Sequence, residues 1–508
     1  MSTETVHHTA LTLADHLPAL QVLVTFVAAP LIVLLGSRRL AWPITFIASA
    51  VSLVIAALLL SQVLDGSVIS YHMGGWAPPL GIEYRVDAAN AFVLVLVTAI
   101  STVVLPFARV SVESEVPKRH HVLFYTSFLL CLTGLLGVTI TGDAFNVFVF
   151  LEISSLSTYV LIAQGAERDK RALTASYDYL IMGTIGATFF VIGLGFLYMA
   201  TGTLNMADIA ERIADQGSNR TIRAAFAFIV VGIALKVAMY PLHRWLPNAY
   251  TFAPSAITAF LAATATKVAV YVLLRFMFSI FQPAFLFEVN TLEFIILPFA
   301  LVAMFAASFI AIFQSDFKRM LAYSSVAQIG YILLGIAFLT ETGLTAAIVH
   351  LFNHGITKAA LFMAVGAYVF AARGSFYDDI QGLGRRLPWT SGAVVIGGLS
   401  LIGVPGTAGF VSKWVLVQGA LDKGWWPVAM LIVASSLLAV IYVWRVIEVL
   451  YMRPVLTDRE IRSVPAMMLV PIWIAALSCI WFGLNTDMTL NAAQAAARGL
   501  LAGTTGMH

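Results

Sequence analysis

Charge is what this sequence has least of: Asp, Glu, Lys and Arg make up 11% of its 508 residues, where soluble domains carry about 25%. With 60% hydrophobic residues and a mean hydropathy of +0.91, the chain lacks the polar surface that keeps a protein in water and reads as a polytopic membrane protein. Cysteine is almost missing as well. Cys131 and Cys479 stand far apart in apolar runs with no partner at metal-ligand spacing, which speaks against a disulfide frame and a thiol redox site and leaves two core residues. No glycine-rich nucleotide loop, low-complexity segment or soluble domain is visible, so no cofactor, resident metal or nucleic-acid partner is expected. A cleavable leader is not visible either. The first apolar run, about 17–36, has Glu4 and Asp15 before it and Arg38 and Arg39 after it, which reads as a retained first span with its N-terminus outside.

What the sequence does have is apolar runs of about 18 to 25 residues, each long enough to cross a hydrocarbon core as a helix. They begin near Leu17, Trp42, Ala88, Val122, Ala144, Tyr179, Ala224, Ser255, Leu292, Met320, Thr342, Thr390, Trp426 and Pro465. The expectation is an all-α polytopic membrane protein of about fourteen transmembrane helices. Sorting the 29 Lys and Arg by loop puts 17 on one side, from Arg38 to Arg453, Arg459 and Arg462, and 6 on the other. By the positive-inside rule both termini then lie outside. The longer outer loops run from about Asp65 to Asp87 and from Gly202 to Arg223. The second contains MADIAERIAD, with Ile209 and Ile213 on one side and acids on the other, a short surface helix; the Ala-rich tail from Asn491 to Leu501 is a candidate for another.

Six basic residues fall within spans: Lys236, Lys267, Arg275, Lys358, Lys413 and Arg445. A charged lysine at the bilayer centre costs about 2.5–3.5 kcal/mol on insertion scales, so several of them need a reason, and ion or proton traffic is the leading one. Lys236 and Lys267 lie in ALKVAMYPLHRWLPNAYTFAPSAITAFLAATATKVAVYVLLR, residues 234–275, on either side of a polar crossing that contains Pro241. Pro241 removes the hydrogen bond to the carbonyl of Val237, which predicts a kink or break beside Lys236 and free carbonyls at membrane depth; packing alone also produces such kinks. Glu152, in DAFNVFVFLEISSLSTYVLIA, is either a neutral acid bonded to a hydroxyl or a carboxylate paired with a lysine, with Lys236 its natural partner. His350, His354 and Lys358 recur every four residues in VHLFNHGITKAALF and share one helix face. They read as a proton relay or as structural hydrogen bonding between helices, and zinc binding lacks a third ligand. In SLIGVPGTAGFVSKWVLVQ a second proline break, at Pro405, precedes Lys413. One lysine and one break in each half point to inverted repeats. Arg445 and Glu448 read as a local i,i+3 pair or as snorkelling, and Arg275 as part of an interfacial belt.

These motifs, with KVAMYPLHRWLPNAY, DFKRMLAYSSVAQIGYILLG and GVPGTAGFVSKW, resemble the antiporter-like subunits shared by Mrp-type cation/proton antiporters and respiratory complex I, and within that family the D subunit of the Mrp antiporters. The resemblance spans about Leu123 to Gly419. It implies two inverted five-helix repeats, each with a broken helix, at 122–281 and 282–452, after three N-terminal helices in 1–121 and before a C-terminal helix and tail in 453–508. It also implies a proton path along a polar axis in mid-membrane. Carried over, Glu152 matches the family's glutamate, Lys236 its broken-helix lysine, Lys267 the connecting lysine and Lys413 the terminal lysine. His350, His354 and Lys358 match the polar central helix.

The function this implies is a proton-translocating subunit of a multisubunit sodium or other monovalent cation/proton antiporter in a bacterial inner membrane, partnered by further hydrophobic subunits. It has no catalytic chemistry of its own. A pumping subunit of a complex I-type NADH:quinone oxidoreductase or membrane-bound hydrogenase is the alternative. A membrane partner of a bicarbonate-accumulating enzyme ranks third, and a lone solute carrier last.

Overall fold

Away from water only hydrogen bonds within the segment satisfy every backbone group of a single span, so long apolar runs fold as helices. The computed structural model describes residues 13–217, 219–455 and 461–502. Among them twelve helices are long and apolar enough to cross a membrane, and the chain is a mostly helical, multi-pass membrane protein. Glu4 and Arg459, which entered the charge pattern, lie outside the described residues. The loop from Asp65 to Asp87 departs from the all-helical expectation: Ile69–His72 pairs antiparallel with Glu83–Val86 in a short hairpin.

Acidic and hydroxyl caps set where several spans begin. Asp87 accepts the N–H groups of Ala89 and Asn90 at the start of Ala88–Glu115, Asp143 that of Asn146 before Ala144–Ala163, and Asp316 that of Arg319 before Phe317–Ala337. Each satisfies donors that the helix itself leaves unpaired. The Asp143 and Asp316 ends share more than the cap. Ala144 N–H bonds to Leu204 O (2.8 Å) and Met206 N–H to Gly142 O (2.9 Å); Phe317 N–H bonds to Ser375 O (2.9 Å) and Tyr377 N–H to Ser315 O (2.9 Å). The same two-bond clasp thus ties the start of one helix to the segment after the next helix, twice along the chain.

The two expected spans near Ala224 and Thr390 are each divided, into Arg220–Val237 with Trp245–Phe252 and into Pro388–Ile402 with Ala408–Asp422. The cause of the first break is corrected by the structure. The helix already ends at Val237, because Ala238 turns to φ 59° and the N–H groups of Ala238 and Met239 bond back to the carbonyls of Leu235 and Ala234; Pro241 lies in the turn that follows. Pro405 likewise sits beyond its helix, after Gly403 (φ 91°) has closed it, a conformation that costs glycine nothing. A third division was not foreseen: Ser255–Ala263 and Ala265–Leu274 are separated by Thr264 at φ −123°, ψ −57°.

The helix Glu341–Ala372 is the core of the molecule. It is buried nearly all round, with His350, Asn353, His354, Thr357 and Lys358 among its enclosed residues, and packs against Ala88–Glu115, Ser255–Ala263, Phe317–Ala337, Pro388–Ile402, Ala408–Asp422, Ala466–Leu484 and Asp487–Leu501. The surface helix Met206–Gln216 buries Ile209 and Ile213 as the pattern predicts, and the tail helix Asp487–Leu501 buries Ala492, Ala493, Ala496 and Ala497. Cys131 and Cys479 are both buried and unpaired with each other. Arg445 does not pair with Glu448. Its guanidinium bonds to the carbonyl of Ile312 and lies over Tyr377, while Glu448 pairs with Arg453 at 3.1 Å.

The helices Arg171–Thr201 and Arg220–Val237 run along each other and touch backbone to backbone at two glycines. A Cβ on Gly232 would sit 2.6 Å from Gly186 O, closer than real side chains approach. This contact fixes the helix one turn before Lys236. Gly232→Ala is therefore expected to lower the midpoint of thermal unfolding in detergent relative to Gly195→Ala. The latter meets open space and gains about 0.5–1 kcal/mol from helix propensity. Heating followed by size-exclusion chromatography reads both, and equal midpoints would show that the glycine contact carries no weight.

Candidate functional site

Lys236 lies in the last turn of its half-helix, where the carbonyl end of the backbone dipole favours a cation. Its Nζ donates to Ser155 Oγ at 2.6 Å and stands 3.6 Å from Glu152 Oε1. The ion pair expected from sequence is therefore present, with the serine as a partner that sequence reasoning did not single out. Ser155 is oriented by a bond of its hydroxyl to Leu151 O on its own helix. Beyond the break, Trp245 donates its indole N–H to Leu235 O at 2.9 Å, so one carbonyl freed by the broken helix is capped by a side chain. A cavity of about 40 Å³, lined by Ser155, Tyr179, Lys236, Trp245 and Thr266 among others, holds room for a few waters.

That cavity leads to Lys267. Thr266 lines it and its hydroxyl accepts from Lys267 Nζ at 3.3 Å, while the same Nζ donates to Ala262 O at 2.5 Å. Ala262 is in the last turn before the Thr264 division, so the ammonium again sits on the carbonyl end of a half-helix.

Lys413 repeats the device at the far side. Its Nζ donates to Leu401 O (3.1 Å) and Ile402 O (2.8 Å), the closing carbonyls of Pro388–Ile402, and lies 4.7 Å from the Tyr331 ring. Lys358, on the central helix, donates to Leu321 O (2.7 Å) and Ser324 Oγ (2.6 Å). All four lysines are thus neutralised in part by oriented carbonyl or hydroxyl dipoles, and among the described residues only Lys236 of the four has a carboxylate partner.

His350 is held between helices. Its Nε2 meets Gln328 Oε1 at 2.9 Å and its Nδ1 meets Ser412 Oγ at 2.8 Å; since the amide oxygen only accepts, Nε2 carries the hydrogen. This is the structural bonding that stood as the rival to a relay. His354 differs. Its ring stacks parallel on His350 at 6.0 Å, and neither of its nitrogens has a partner among the described residues although the side chain is 3% exposed. It lies within electrostatic reach of Lys267, Lys358 and Lys413, which joins the Lys267 side of the molecule to the Lys413 side.

The predicted residues can be ordered as one series, Glu152 and Lys236, then Lys267 beyond the small cavity, then His354 with His350 and Lys358, then Lys413; among the hydrogen bonds described, none joins Lys267, His354, Lys358 and Lys413 to one another. Pro241 and Pro405 touch no lysine among the hydrogen bonds described and act through the turns they occupy. Ser155, Ser324, Gln328, Ser412, Tyr331 and Trp245 were missed. Clustered hydroxyls in LEISSLS and AYSS were the available signal for the serines.

A family model described as "NADH:quinone oxidoreductase/Mrp antiporter, TM" matches residues 141–439. A protein of Desulforudis audaxviator, named as the N subunit of an NADH-quinone oxidoreductase, is 39% identical over 94% of this chain and 97% of its own. A Bacillus subtilis protein, named as the D subunit of a Na(+)/H(+) antiporter, is 31% identical over 89% of this chain and 90% of its own. Among solved structures, a chain of the Mrp complex from Dietzia sp. DQ12-45-1b superposes with a TM-score of 0.87 at 25% identity, over 97% of this chain and 99% of that one.

An imidazole buried without partners loses its hydrogen bonds to water for nothing in return, at a cost of about 1–3 kcal/mol. A high-resolution density map of the protein is therefore expected to show ordered water within hydrogen-bonding distance of His354. A ring that is dry on both nitrogens would break the chain between Lys267 and Lys413.

Proposed function

Because this chain belongs to the NADH:quinone oxidoreductase/Mrp antiporter family of membrane subunits, we propose that it is the proton-translocating subunit of a multisubunit monovalent cation/proton antiporter of the Mrp type, in a bacterial inner membrane. The observation that carries this reading is the Glu152–Lys236 ion pair, at 3.6 Å, at the head of a buried series of basic groups that ends at Lys413. The names of the Bacillus relative and the Dietzia complex support the antiporter assignment.

The chain works as one subunit among other membrane subunits. Glu152 fits that role: its side chain is 26% exposed on a helix whose Phe145, Val149 and Leu156 also face outward, and a carboxylate does not face lipid without cover. Opening the Glu152–Lys236 pair in this setting leaves two isolated charges, and moving a proton off the ammonium removes the one on Lys236, while Glu152 keeps its charge beside the covering subunit. The proton then passes by Thr266 and Lys267 to His354 and on to Lys358 or Lys413. Two inverted repeats, at 122–281 and 282–452, would give the path its two half-channels, and the recurring backbone clasp at Asp143 and Asp316 supports them. The excess of Lys and Arg on one set of loops supports both termini outside.

The Desulforudis relative favours a second reading, a pumping subunit in a redox complex of the NADH:quinone oxidoreductase type. The same proton chain would serve it. Purification of the tagged protein from native membranes separates the two: small hydrophobic antiporter subunits without redox proteins support the first, and flavin or iron–sulfur partners the second.

Lys236→Ala is expected to abolish sodium-dependent proton flux in vesicles while the complex still assembles; full flux in an assembled variant would overturn the assignment. Ser155→Ala removes a hydrogen bond to a charged group, a loss of at least about 1.5 kcal/mol, and is expected to slow flux about tenfold. Ser157→Ala, at a hydroxyl that bonds back to Ile153 O on its own helix, is expected to leave flux unchanged.

A further inference from the structure

One polar constellation plays no part in the chain above. On the face that carries the hairpin, a cavity of about 290 Å³ is lined by residues of Ala88–Glu115, Ala265–Leu274, the surface helix Met206–Gln216 and the tail helix Asp487–Leu501. At its edge Arg275 grips Asp87 with two nitrogens, at 2.7 and 2.8 Å, and donates through Nε to the Tyr271 hydroxyl at 3.1 Å. The two charged side chains are only 13% and 21% exposed. Burial opposes the charge on Asp87, but Arg275 beside it and the helix N–H groups it caps outweigh that and hold the carboxyl below its ordinary range. From Arg275 the backbone passes into a π-helical turn, Arg275–Ile280, a geometry that gathers at functional positions. Lys267, Tyr271 and Arg275 recur every four residues and so share a face. Tyr271 stands between the other two, about 6 Å of helix rise from each.

We propose that Tyr271, Arg275 and Asp87 form a gated proton outlet that connects Lys267 to water on the hairpin face. While the ion pair is closed, Asp87 accepts no proton and the path is shut. When Arg275 swings away, Asp87 becomes a buried carboxylate without its counter-ion. A proton leaving the Lys267 ammonium, whose Nζ points back to Ala262 O and Thr266, travels through water to the Tyr271 oxygen as the Tyr271 hydroxyl gives its own to Asp87, and the returning guanidinium displaces that proton into the cavity. The mouth favours protons over alkali cations. Arg85 and Arg275 both line it against the single carboxylate of Asp87, and the net positive charge repels sodium while a proton crosses by exchange along hydroxyls and water. This outlet rests on the proton-translocating reading above and adds to it the side and the residues of release.

The test uses the assembled complex in sealed vesicles, cleared of accessible cysteines, with Lys236→Ala as the reference for the proton chain. Ala207→Cys places a thiol in the cavity wall, against Cys131 and Cys479, which are buried. A membrane-impermeant thiosulfonate bearing a trimethylammonium group, added on the hairpin face, is expected to label this variant and slow proton flux at least fivefold. Added on the opposite face it is expected to do neither, and the unlabelled variant is expected to match the wild type. Asp87→Asn keeps a good helix cap and is expected to assemble normally, with flux reduced tenfold or more and partly recovered in Asp87→Glu. A thiol that stays unlabelled, or full flux in both labelled Ala207→Cys and Asp87→Asn, overturns the outlet. If Lys236→Ala is inactive in the same vesicles, that result removes the outlet alone; full flux in Lys236→Ala removes the reading beneath it.

Discussion

Everything in this molecule follows from the need to hold ammonium groups in a medium that does not solvate them. The answer is geometric: Lys236, Lys267 and Lys413 each lie at the carbonyl end of a half-helix, where several backbone oxygens face the same way without intrahelical donors. A broken span is normally expensive in lipid because it leaves polar backbone unsatisfied. At Lys267 and Lys413 the cost of the break and the cost of the charge offset each other, since the ammonium donates to carbonyls of the closing turn. At Lys236 the freed carbonyl of Leu235 is met by Trp245, and the ammonium by Ser155 and Glu152.

Dipoles and carboxylates do different work in this arrangement. A carbonyl oxygen lowers the energy of an ammonium but does not take its proton, so Lys267, Lys358 and Lys413 exchange protons with hydroxyls, imidazole, water or one another, and not with the carbonyls that hold them. Glu152 is the one acid that a lysine of the path meets directly among the described residues, at 3.6 Å. It is therefore where an outside influence gains purchase on the sequence of protonation. His354, stacked on a histidine that is itself fully hydrogen-bonded, is the imidazole whose two nitrogens are buried without a partner among the described residues.

The charged residues of this path are legible because apolar runs make them conspicuous. A lysine amid valine and alanine announces itself, and the pairing of Glu152 with Lys236 follows from the cost of leaving either alone. The breaks were only half legible. Glycine and proline marked the Lys413 turn, but Ala238 adopts a left-handed conformation that alanine ordinarily avoids, and Thr264 interrupts its helix with no glycine or proline beside it. In both cases tertiary contacts override local preference: Trp245 caps Leu235 O, and Lys267 caps Ala262 O. Arg445 was misread as paired with Glu448, and the partner of Arg275 was not foreseen, for a related reason. Their partners, Asp87 and Ile312, stand 188 and 133 residues away, and a single sequence does not show which distant segments become neighbours.

The likeness to both antiporter and oxidoreductase subunits has a physical ground. Nothing in the path from Glu152 to Lys413 specifies what drives it: the groups respond to local charge, whether that charge arises from a bound cation or from an electron arriving in a neighbouring subunit. What differs between such machines must act where the path meets the surface. Glu152 is partly exposed on the flank of the bundle and its partner Lys236 is nearly buried behind it. Under the proposed function, a neighbouring subunit that places a cation beside Glu152 would draw the carboxylate outward and free the lysine, and one that withdraws the cation would restore the pair. A common interior and a variable partner at a single carboxylate would then couple one proton path to two different sources of free energy.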